Sequence, residues 1–129
     1  MGARIYVRGV TAMRQKLMRI AQNAPTEFGR ATEEEFREVE MPEVDARTPW
    51  KTKNLRSTLR LDGPHTRSKK ILCQILSGGV KAPYAVHVHE DPDMVHPHGQ
   101  WKYLESVMLE SRPFIGRRIA ARVDLARMA

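Results

Sequence analysis

Residues 54–61 read NLRSTLRL, and this stretch decides the predicted fold. Leucine or serine alternates along it with arginine or threonine, which is the two-residue period of a strand with one buried face. The Asp-Gly-Pro sequence at 62–64 favours a turn, so the strand is expected to end there. Arg56 and Arg60 are predicted to lie on the face that is turned away from the core.

Two further strands are predicted along the chain. Residues 70–76 are rich in apolar and β-branched residues and are followed by Ser-Gly-Gly at 77–79. Residues 84–89 alternate Tyr, Val and Val with Ala, His and His. Three consecutive strands with glycine-rich breaks favour an antiparallel meander, so we predict an antiparallel sheet of three to five strands.

Helices are predicted on both sides of this sheet. From Thr11, apolar residues recur at helical spacing as far as Pro25, which is expected to stop the helix. A second helix is predicted from Thr26, and Pro42 should kink or end it because proline lacks a backbone donor. A last helix is predicted from Pro113 onward. The apolar positions that define the first helix are Met13, Leu17, Ile20 and Ala21. The expected fold class is α+β, with N-terminal helices and a C-terminal helix packed on the sheet.

Length and composition limit the class of protein. A chain of 129 residues corresponds to one domain, so 1–129 is expected to fold as a single unit. No apolar run approaches the roughly 20 residues that span a bilayer, and no secretory signal is evident at the start. Cys73 is the only cysteine, which excludes an internal disulfide and a cysteine-based zinc cage. We therefore expect a soluble protein that is made in a cytoplasm.

The net charge of +7 is unevenly distributed. Residues 1–26 carry five basic and no acidic side chains, residues 27–46 carry eight acidic and two basic ones, and residues 47–81 carry nine basic and one acidic. Such blocks suit head-to-tail contacts between identical subunits, and they suit a lumen that faces DNA equally well. Basic side chains that contact phosphate need no base readout. The candidates are Lys51, Lys53, Arg56, Arg60, Arg67, Lys69 and Lys70.

Histidines carry the main suggestion of enzyme chemistry. Alternate residues of a strand point the same way, so His87 and His89 would present two ring nitrogens to one metal ion. Further ligands would come from Glu90, Asp91, Asp93 or His96. This hypothesis predicts a small metallohydrolase, whereas the alternative makes the histidines polar residues of an edge strand and loop. The alternative is preferred, so we expect no metal and no cofactor.

Two tryptophans are candidates for an interface. Trp50 and Trp101 are each expected either at the edge of the core or between ring subunits, where aromatic area contributes most to binding. Cys73 lies within an apolar strand candidate and is interpreted as a small hydrophobic residue rather than a nucleophile. The sequence offers no phosphate-binding loop, because Ser-Gly-Gly-Val-Lys at 77–81 lacks the required spacing.

Three local motifs occur in an order that resembles a known family. They are TPWKTKNLRS at 48–57, APYAVHVHE at 82–90 and GQWKYLE at 99–105. Together they resemble the neck proteins of tailed bacteriophages, also described as head-tail connector, minor capsid or tail-component proteins. The resemblance covers roughly residues 11–125, and Lys53 stands where the family usually has glycine.

The resemblance implies a structural role without a catalytic residue or a cofactor. Family members form homo-oligomeric rings, with six-fold or twelve-fold symmetry expected, between the DNA-filled head and the tail. The implied partners are a portal, adaptor or head-closure protein on one side and a tail terminator or tail tube protein on the other. Residues 1–10 and the loop at 91–100 are the candidates for contacts between rings. The rival hypotheses are a basic nucleic-acid-binding module and the small metallohydrolase.

Overall fold

The computed structural model describes residues 2–49, 54–79, 82–94, 96 and 99–129. A long first helix and its continuation are followed by one short helical turn, a β-hairpin and four more helices. The elements are α1 (Val10–Glu35), a π-helical turn (Phe36–Glu40), α2 (Met41–Arg47), α3 (Asn54–Ser57), β1 (Arg60–Arg67), β2 (Lys70–Leu76), α4 (Ala85–Glu90), α5 (Tyr103–Ser111), α6 (Ile115–Arg122) and α7 (Leu125–Met128). The predicted mixture of helices and an antiparallel sheet is confirmed.

The two predicted helix stops in the N-terminal third are wrong. Pro25 lies inside α1, which continues past it to Glu35 and through the π-helical turn into α2. The turns that follow Pro25 are held by packing against α6 and α7, which offsets the loss of one backbone hydrogen bond. Pro42 lies in the first turn of α2, directly after the π-helical turn. There the regular hydrogen-bond ladder is already interrupted, so the missing donor costs little.

The stretch at 54–61 does not form the predicted strand. Its first half is the helical turn α3, and β1 begins only at Arg60. Leu55 is buried in the core and Leu59 packs against the same cluster. Leucines four residues apart fit one turn of a helix, and the alternation of residues fits a strand equally well. Contacts with the core decide in favour of the helical turn.

The predicted turn at 62–64 lies inside β1. The strand passes through it with an irregular register between Asp62 and His65, as in a β-bulge. Gly63 has φ +106°, and a Cβ there would lie 2.6 Å from the carbonyl oxygen of Leu72. Glycine therefore allows the two strands to approach at the bulge. The prediction of a strand at 70–76 is confirmed by β2.

The predicted third strand at 84–89 is also wrong. Residues 85–90 form the short helix α4, in which Ala85 and Val88 are buried three residues apart while Val86 is 75% exposed. Among the described residues the sheet has two strands, β1 and β2, and the three to five strands that we predicted are not found there.

The main apolar cluster lies among the short helices rather than on a broad sheet face. Its centre is Tyr103 at the start of α5, which is fully buried. The cluster consists of Val44, Leu55, Ala82, Ala85, Val88, Tyr103 and Val107. The predicted single C-terminal helix is divided into α6 and α7, and both pack against α1. Within the described parts of the chain, no helix is both long and apolar enough to cross a membrane.

Candidate interaction surfaces

The N-terminal half of α1 exposes a row of apolar side chains, which we term the apolar stripe. It consists of Val10, Met13, Leu17 and Ala21, spaced three or four residues apart on one face of the helix. Val10, Met13 and Leu17 are 57%, 66% and 60% exposed. The face was correctly predicted from the periodicity, but the described part of this chain does not cover it.

Arg14 borders the apolar stripe, whereas Lys16 and Arg19 lie on other faces of the same helix. Arg14, Lys16 and Arg19 lie on the same half of α1, and none of them forms an ion pair with another described residue. The preceding segment at 2–8 has no regular secondary structure, and its apolar residues at 5–7 are also exposed. The predicted N-terminal arm is therefore consistent with an extended segment, whereas the alternative of a short strand is not observed.

The acidic block of the sequence is largely neutralised within the chain. Arg122 of α6 donates from Nη1 to Glu34 at 2.8 Å and to Glu38 at 2.6 Å. Further pairs join Glu27 with Arg30, Glu33 with Arg37 and Glu43 with Arg47. The hydrogen bond from Arg30 lowers the pKa of Glu27 to about 2. The expectation that this block forms an acidic face for a neighbouring subunit receives no support from the structure.

Two carboxylates of the same region are fully buried. Glu35 accepts hydrogen bonds from Arg122 Nε at 3.2 Å and from Arg118 Nη1 at 3.5 Å. Glu40, one turn later in the π-helical segment, has no hydrogen-bond partner for either carboxylate oxygen among the described residues. Burial raises the pKa of Glu40 to about 7, and the adjacent Glu35 carboxyl adds to the shift. The fold therefore raises the pKa of Glu40 to near neutral pH.

The basic residues predicted to contact DNA fall into three groups: those outside the described residues, those with partners inside the chain, and those that are exposed without an ion pair among the described residues. Trp50, Lys51 and Lys53 lie outside the described residues. Arg56 pairs with Asp45, with its Nε 3.1 Å from Oδ1. Arg60 donates to the carbonyl oxygens of Thr58 and Gly78. These two arginines thus have structural partners within the chain.

Three members of that set lie together at the turn between β1 and β2. Arg67, Lys69 and Lys70 are exposed, and none of them forms an ion pair with another described residue. Ser68 and Lys69 form the two-residue turn with φ values of +48° and +65°. We term residues 67–70 the hairpin tip.

The predicted metal-binding pair is not brought together. His87 and His89 lie on helix α4, where a separation of two residues turns the side chains to nearly opposite sides. His87 lies 3.7 Å from Asp91, whereas His89 Nδ1 lies 2.8 Å from Glu90 and its ring contacts Tyr103 edge-on. In the described portion of the chain, no three His, Cys, Asp or Glu side chains form a possible metal site. The geometry on which the metallohydrolase hypothesis rested is wrong, because α4 is not a strand.

A small cavity of about 150 Å³ lies beside the core tyrosine. Ser77, His89 and Glu90 line it, which is a set of residue types that occurs in acyl-transfer sites. The Ser77 hydroxyl is hydrogen-bonded to the Tyr103 hydroxyl at 2.9 Å, and His89 Nε2 faces the backbone N–H of Glu105. The histidine is thus not placed as a base for the serine, and these contacts join α4, α5 and the end of β2.

Tyr103→Phe should lower the free energy of unfolding by about 1 kcal/mol, because it removes the hydrogen bond to Ser77 and keeps the ring. Urea denaturation of the whole chain measures this change. Tyr84→Phe is the matched control, since Tyr84 is 42% exposed and its loss of a hydroxyl should have almost no effect. Equal effects of the two substitutions would contradict the role of the buried hydroxyl.

An apolar groove lies between the π-helical turn, β2 and α5. It has a volume of about 410 Å³. Its lining includes Phe36, Cys73, Ile75, Leu76, Leu104 and Met108, with Glu105 also present. Burial raises the pKa of the Cys73 thiol, which agrees with its interpretation as a small hydrophobic residue.

The predicted loop at 91–100 and the second tryptophan directly precede α5. Gly99 has φ +83°, and a Cβ there would lie 2.5 Å from the carbonyl oxygen of Arg47. The N–H of Gln100 also donates to this oxygen, so the end of the 91–100 loop is docked on the end of α2. Trp101 is 40% exposed, with Lys102 Nζ 5.4 Å from its ring centroid. Trp101 therefore remains available at the surface.

No protein-family model, curated protein or solved structure matches this chain.

The ion-pair network between α1 and α6 was missed by the sequence reasoning. The signal was present, because Arg118 and Arg122 are four residues apart on a helix and the acidic residues at 34, 35 and 38 are spaced for one helical face. Charge blocks were assigned to contacts between subunits, whereas folding pairs the acidic block with Arg118 and Arg122 of α6 within one chain.

Proposed function

We propose that this chain is a structural assembly subunit that forms a homo-oligomeric ring in the neck of a tailed bacteriophage, between the portal-bearing head and the tail. The apolar stripe on α1 is the observation that carries the proposal. Each large apolar side chain that becomes fully buried contributes roughly 1.5–3 kcal/mol, so Val10, Met13 and Leu17 supply a substantial driving force for association. The phage context rests on the motif order at 48–57, 82–90 and 99–105.

The charges around the apolar stripe favour a head-to-tail contact. Two stripes that faced each other would bring Arg14 of both copies together, and residues 1–26 contain no acidic side chain that would offset this charge. Like charges at an interface oppose association. The stripe is therefore paired with a different surface of the next copy, and such heterologous contacts form a ring when the rotation closes.

The apolar groove is the counterpart that this proposal assigns to the apolar stripe. Its lining from Phe36, β2 and α5 offers apolar area to Met13 and Leu17 of a neighbouring copy. Glu105 also lines the groove, where it pairs with Lys102 Nζ at 2.7 Å, so the proposed match between the two surfaces rests on their apolar side chains.

Sedimentation of the purified chain tests the assembly step. The wild type should sediment as an oligomer whose mass is a multiple of 14.8 kDa. Met13→Gln with Leu17→Gln should give a monomer of unchanged helicity, because glutamine keeps the helix propensity and removes the apolar contact. Leu109→Gln with Leu125→Gln is the matched control, since both leucines are exposed and belong neither to the stripe nor to the groove lining. A persistent wild-type monomer would sink the proposal.

Mixing two defective variants tests the head-to-tail geometry. Met108→Glu places a charge in the groove and should also give a monomer. When the Met108→Glu variant is mixed with the Met13→Gln, Leu17→Gln variant, one intact stripe and one intact groove remain. The mixture should form a heterodimer of twice the monomer mass, whereas a symmetric stripe-to-stripe contact would let the Met108→Glu variant associate with itself and would give no heterodimer.

The location in a phage particle is tested separately. A density map of the virion should place the ring between the portal, adaptor or head-closure protein and the tail terminator or tail tube. Absence of the chain from the particle would contradict the neck assignment while leaving its self-assembly intact.

A further inference from the structure

The hairpin tip concentrates positive charge in an arrangement that the fold itself disfavours. Arg67 and Lys70 are directly opposite each other in the register of β1 and β2. Like charges at opposed positions of an antiparallel pair destabilise the pair. Lys69 between them has φ +65°, a conformation in which glycine, asparagine or aspartate is usual. Three cations thus occupy a turn where the chain provides no compensating acidic side chain among its described residues.

The surrounding structure indicates how these cations are presented. Gly29 of α1 lies beside Pro64 of β1, since a Cβ on the glycine would be 3.4 Å from Pro64 Cγ. Phe36, the first residue of the π-helical turn that follows α1, lines the groove with Ile75 near the other end of the hairpin. The hairpin therefore runs alongside α1 with its tip toward the N-terminus of that helix, where Arg14, Lys16 and Arg19 are exposed. The basic groups of both elements lie toward one end of the molecule.

We propose that the hairpin tip binds the phosphate backbone of double-stranded DNA without sequence specificity. A bound phosphate relieves the repulsion between Arg67 and Lys70 and accepts hydrogen bonds from both side chains. A two-stranded β-ribbon is narrow enough to enter the major groove of B-DNA, and the basic half of α1 extends the contact to further phosphates. The proposal is independent of ring formation, because every residue that it uses belongs to one copy.

The composition of the tip favours a nucleic acid over a membrane surface. Residues 65–70 are His, Thr, Arg, Ser, Lys and Lys, so the tip has no apolar side chain to insert between lipids. Binding to anionic membranes by a protein surface usually combines positive charge with inserted apolar groups. A polyanion with closely and regularly spaced phosphates binds these cations without any inserted apolar side chain.

Fluorescence anisotropy with a labelled duplex of arbitrary sequence tests the proposal at several salt concentrations. The whole chain should bind, and the variant Arg67→Gln, Lys69→Asn, Lys70→Gln should lose roughly tenfold or more in affinity at low salt. The slope of log affinity against log salt should decrease by about 2 to 3, because each phosphate contact contributes about 0.9. Asparagine suits the left-handed conformation at position 69, so the turn is expected to be retained.

A matched variant separates a local site from net charge. Arg112→Gln, Arg117→Gln, Arg127→Gln also removes three exposed positive charges, but from the C-terminal helices. It should retain most of the affinity and slope. Equal weakening by the two variants, or DNA binding by the tip variant at wild-type affinity, overturns the proposal. If the triple tip variant does not fold, the single Lys70→Gln variant replaces it, with an expected decrease in slope of about 1.

Two further measurements identify the ligand and separate this proposal from ring assembly. The tip variant and the wild type should bind equally well to vesicles that contain an anionic phospholipid. A loss of vesicle binding with unchanged DNA binding would overturn the assignment to DNA. The tip variant should sediment like the wild type, whereas the Met13→Gln, Leu17→Gln variant should lose assembly and keep the local DNA contact.

Discussion

Arg122→Met is expected to lower the free energy of unfolding by about 3 kcal/mol and the melting temperature by roughly 10 °C. Arg122 Nε lies 3.2 Å from the fully buried Glu35, and its Nη1 also contacts Glu34 and Glu38. Removal of the guanidinium leaves the buried Glu35 carboxylate with the longer contact from Arg118 as its remaining ion pair among the described residues. The cost arises mainly from this uncompensated charge, since exposed ion pairs alone contribute little.

Arg117→Met is the control for the loss of an arginine from the same helix. Arg117 is exposed, and it forms no ion pair with the described residues, so the change in stability should be near zero. The double variant Arg122→Met, Glu35→Met should be more stable than Arg122→Met alone, because it removes both the cation and the buried anion. Urea denaturation of the three variants gives these values. A double variant that is less stable than the single one would contradict the proposed origin of the effect.

Glu40→Gln is expected to stabilise the protein at pH 8 and to remove much of its pH dependence between pH 4.5 and 7. Burial raises the pKa of Glu40 from its ordinary value of 4.5 to about 7, so the folded chain binds more protons than the unfolded chain in this window. Stability from this group is complete below pH 4.5 and is lost as the pH rises through 7. The displacement corresponds to roughly 3 kcal/mol.

Chemical denaturation at pH 5 and pH 8 measures the effect. The charged and polar groups that face Glu40 are Glu35, Ser111 and Arg118, with Arg118 Nη1 at 3.8 Å. Glu43→Gln is the control, because Glu43 is an exposed carboxylate one turn later and forms a surface pair with Arg47. This control should keep the wild-type difference between the two pH values. A Glu40→Gln variant that retains the same difference would show that another group causes it.

The sequence indicated the elements with strong local signals. Residues 70–76 formed the predicted strand, because a run of apolar and β-branched residues bounded by Ser-Gly-Gly has few alternatives. The apolar face at Met13 and Leu17 was also read correctly from helical periodicity. Residues 54–61 and 84–89 were misread because segments of six to eight residues satisfy strand and helix periods almost equally. Contacts of Leu55 and Val88 with the core decided in favour of helix.

The candidate surfaces divide in the same way. Charge blocks were visible in the sequence, and their assignment to contacts between subunits stays a prediction, although the acidic block pairs within the chain with Arg118 and Arg122. Local spacing indicated a charged face on each helix, but it did not show that residues more than 80 positions apart would meet. The prediction that His87 and His89 face the same way was wrong for a local reason. Their two-residue spacing places them on one face only in a strand, and this segment is a helix.

The sequence by itself determined the mixed class of the fold, the apolar face of the first helix, the second strand and the basic character of residues 67–70. These features follow from composition and from periodicity within single elements. Only the tertiary structure decided that the first helix continues through Pro25, that Glu35 and Glu40 are buried, and that the described residues leave the apolar stripe uncovered. The physical reason is that burial and ion pairing depend on which distant segments meet, and the free energy of those contacts exceeds local preferences.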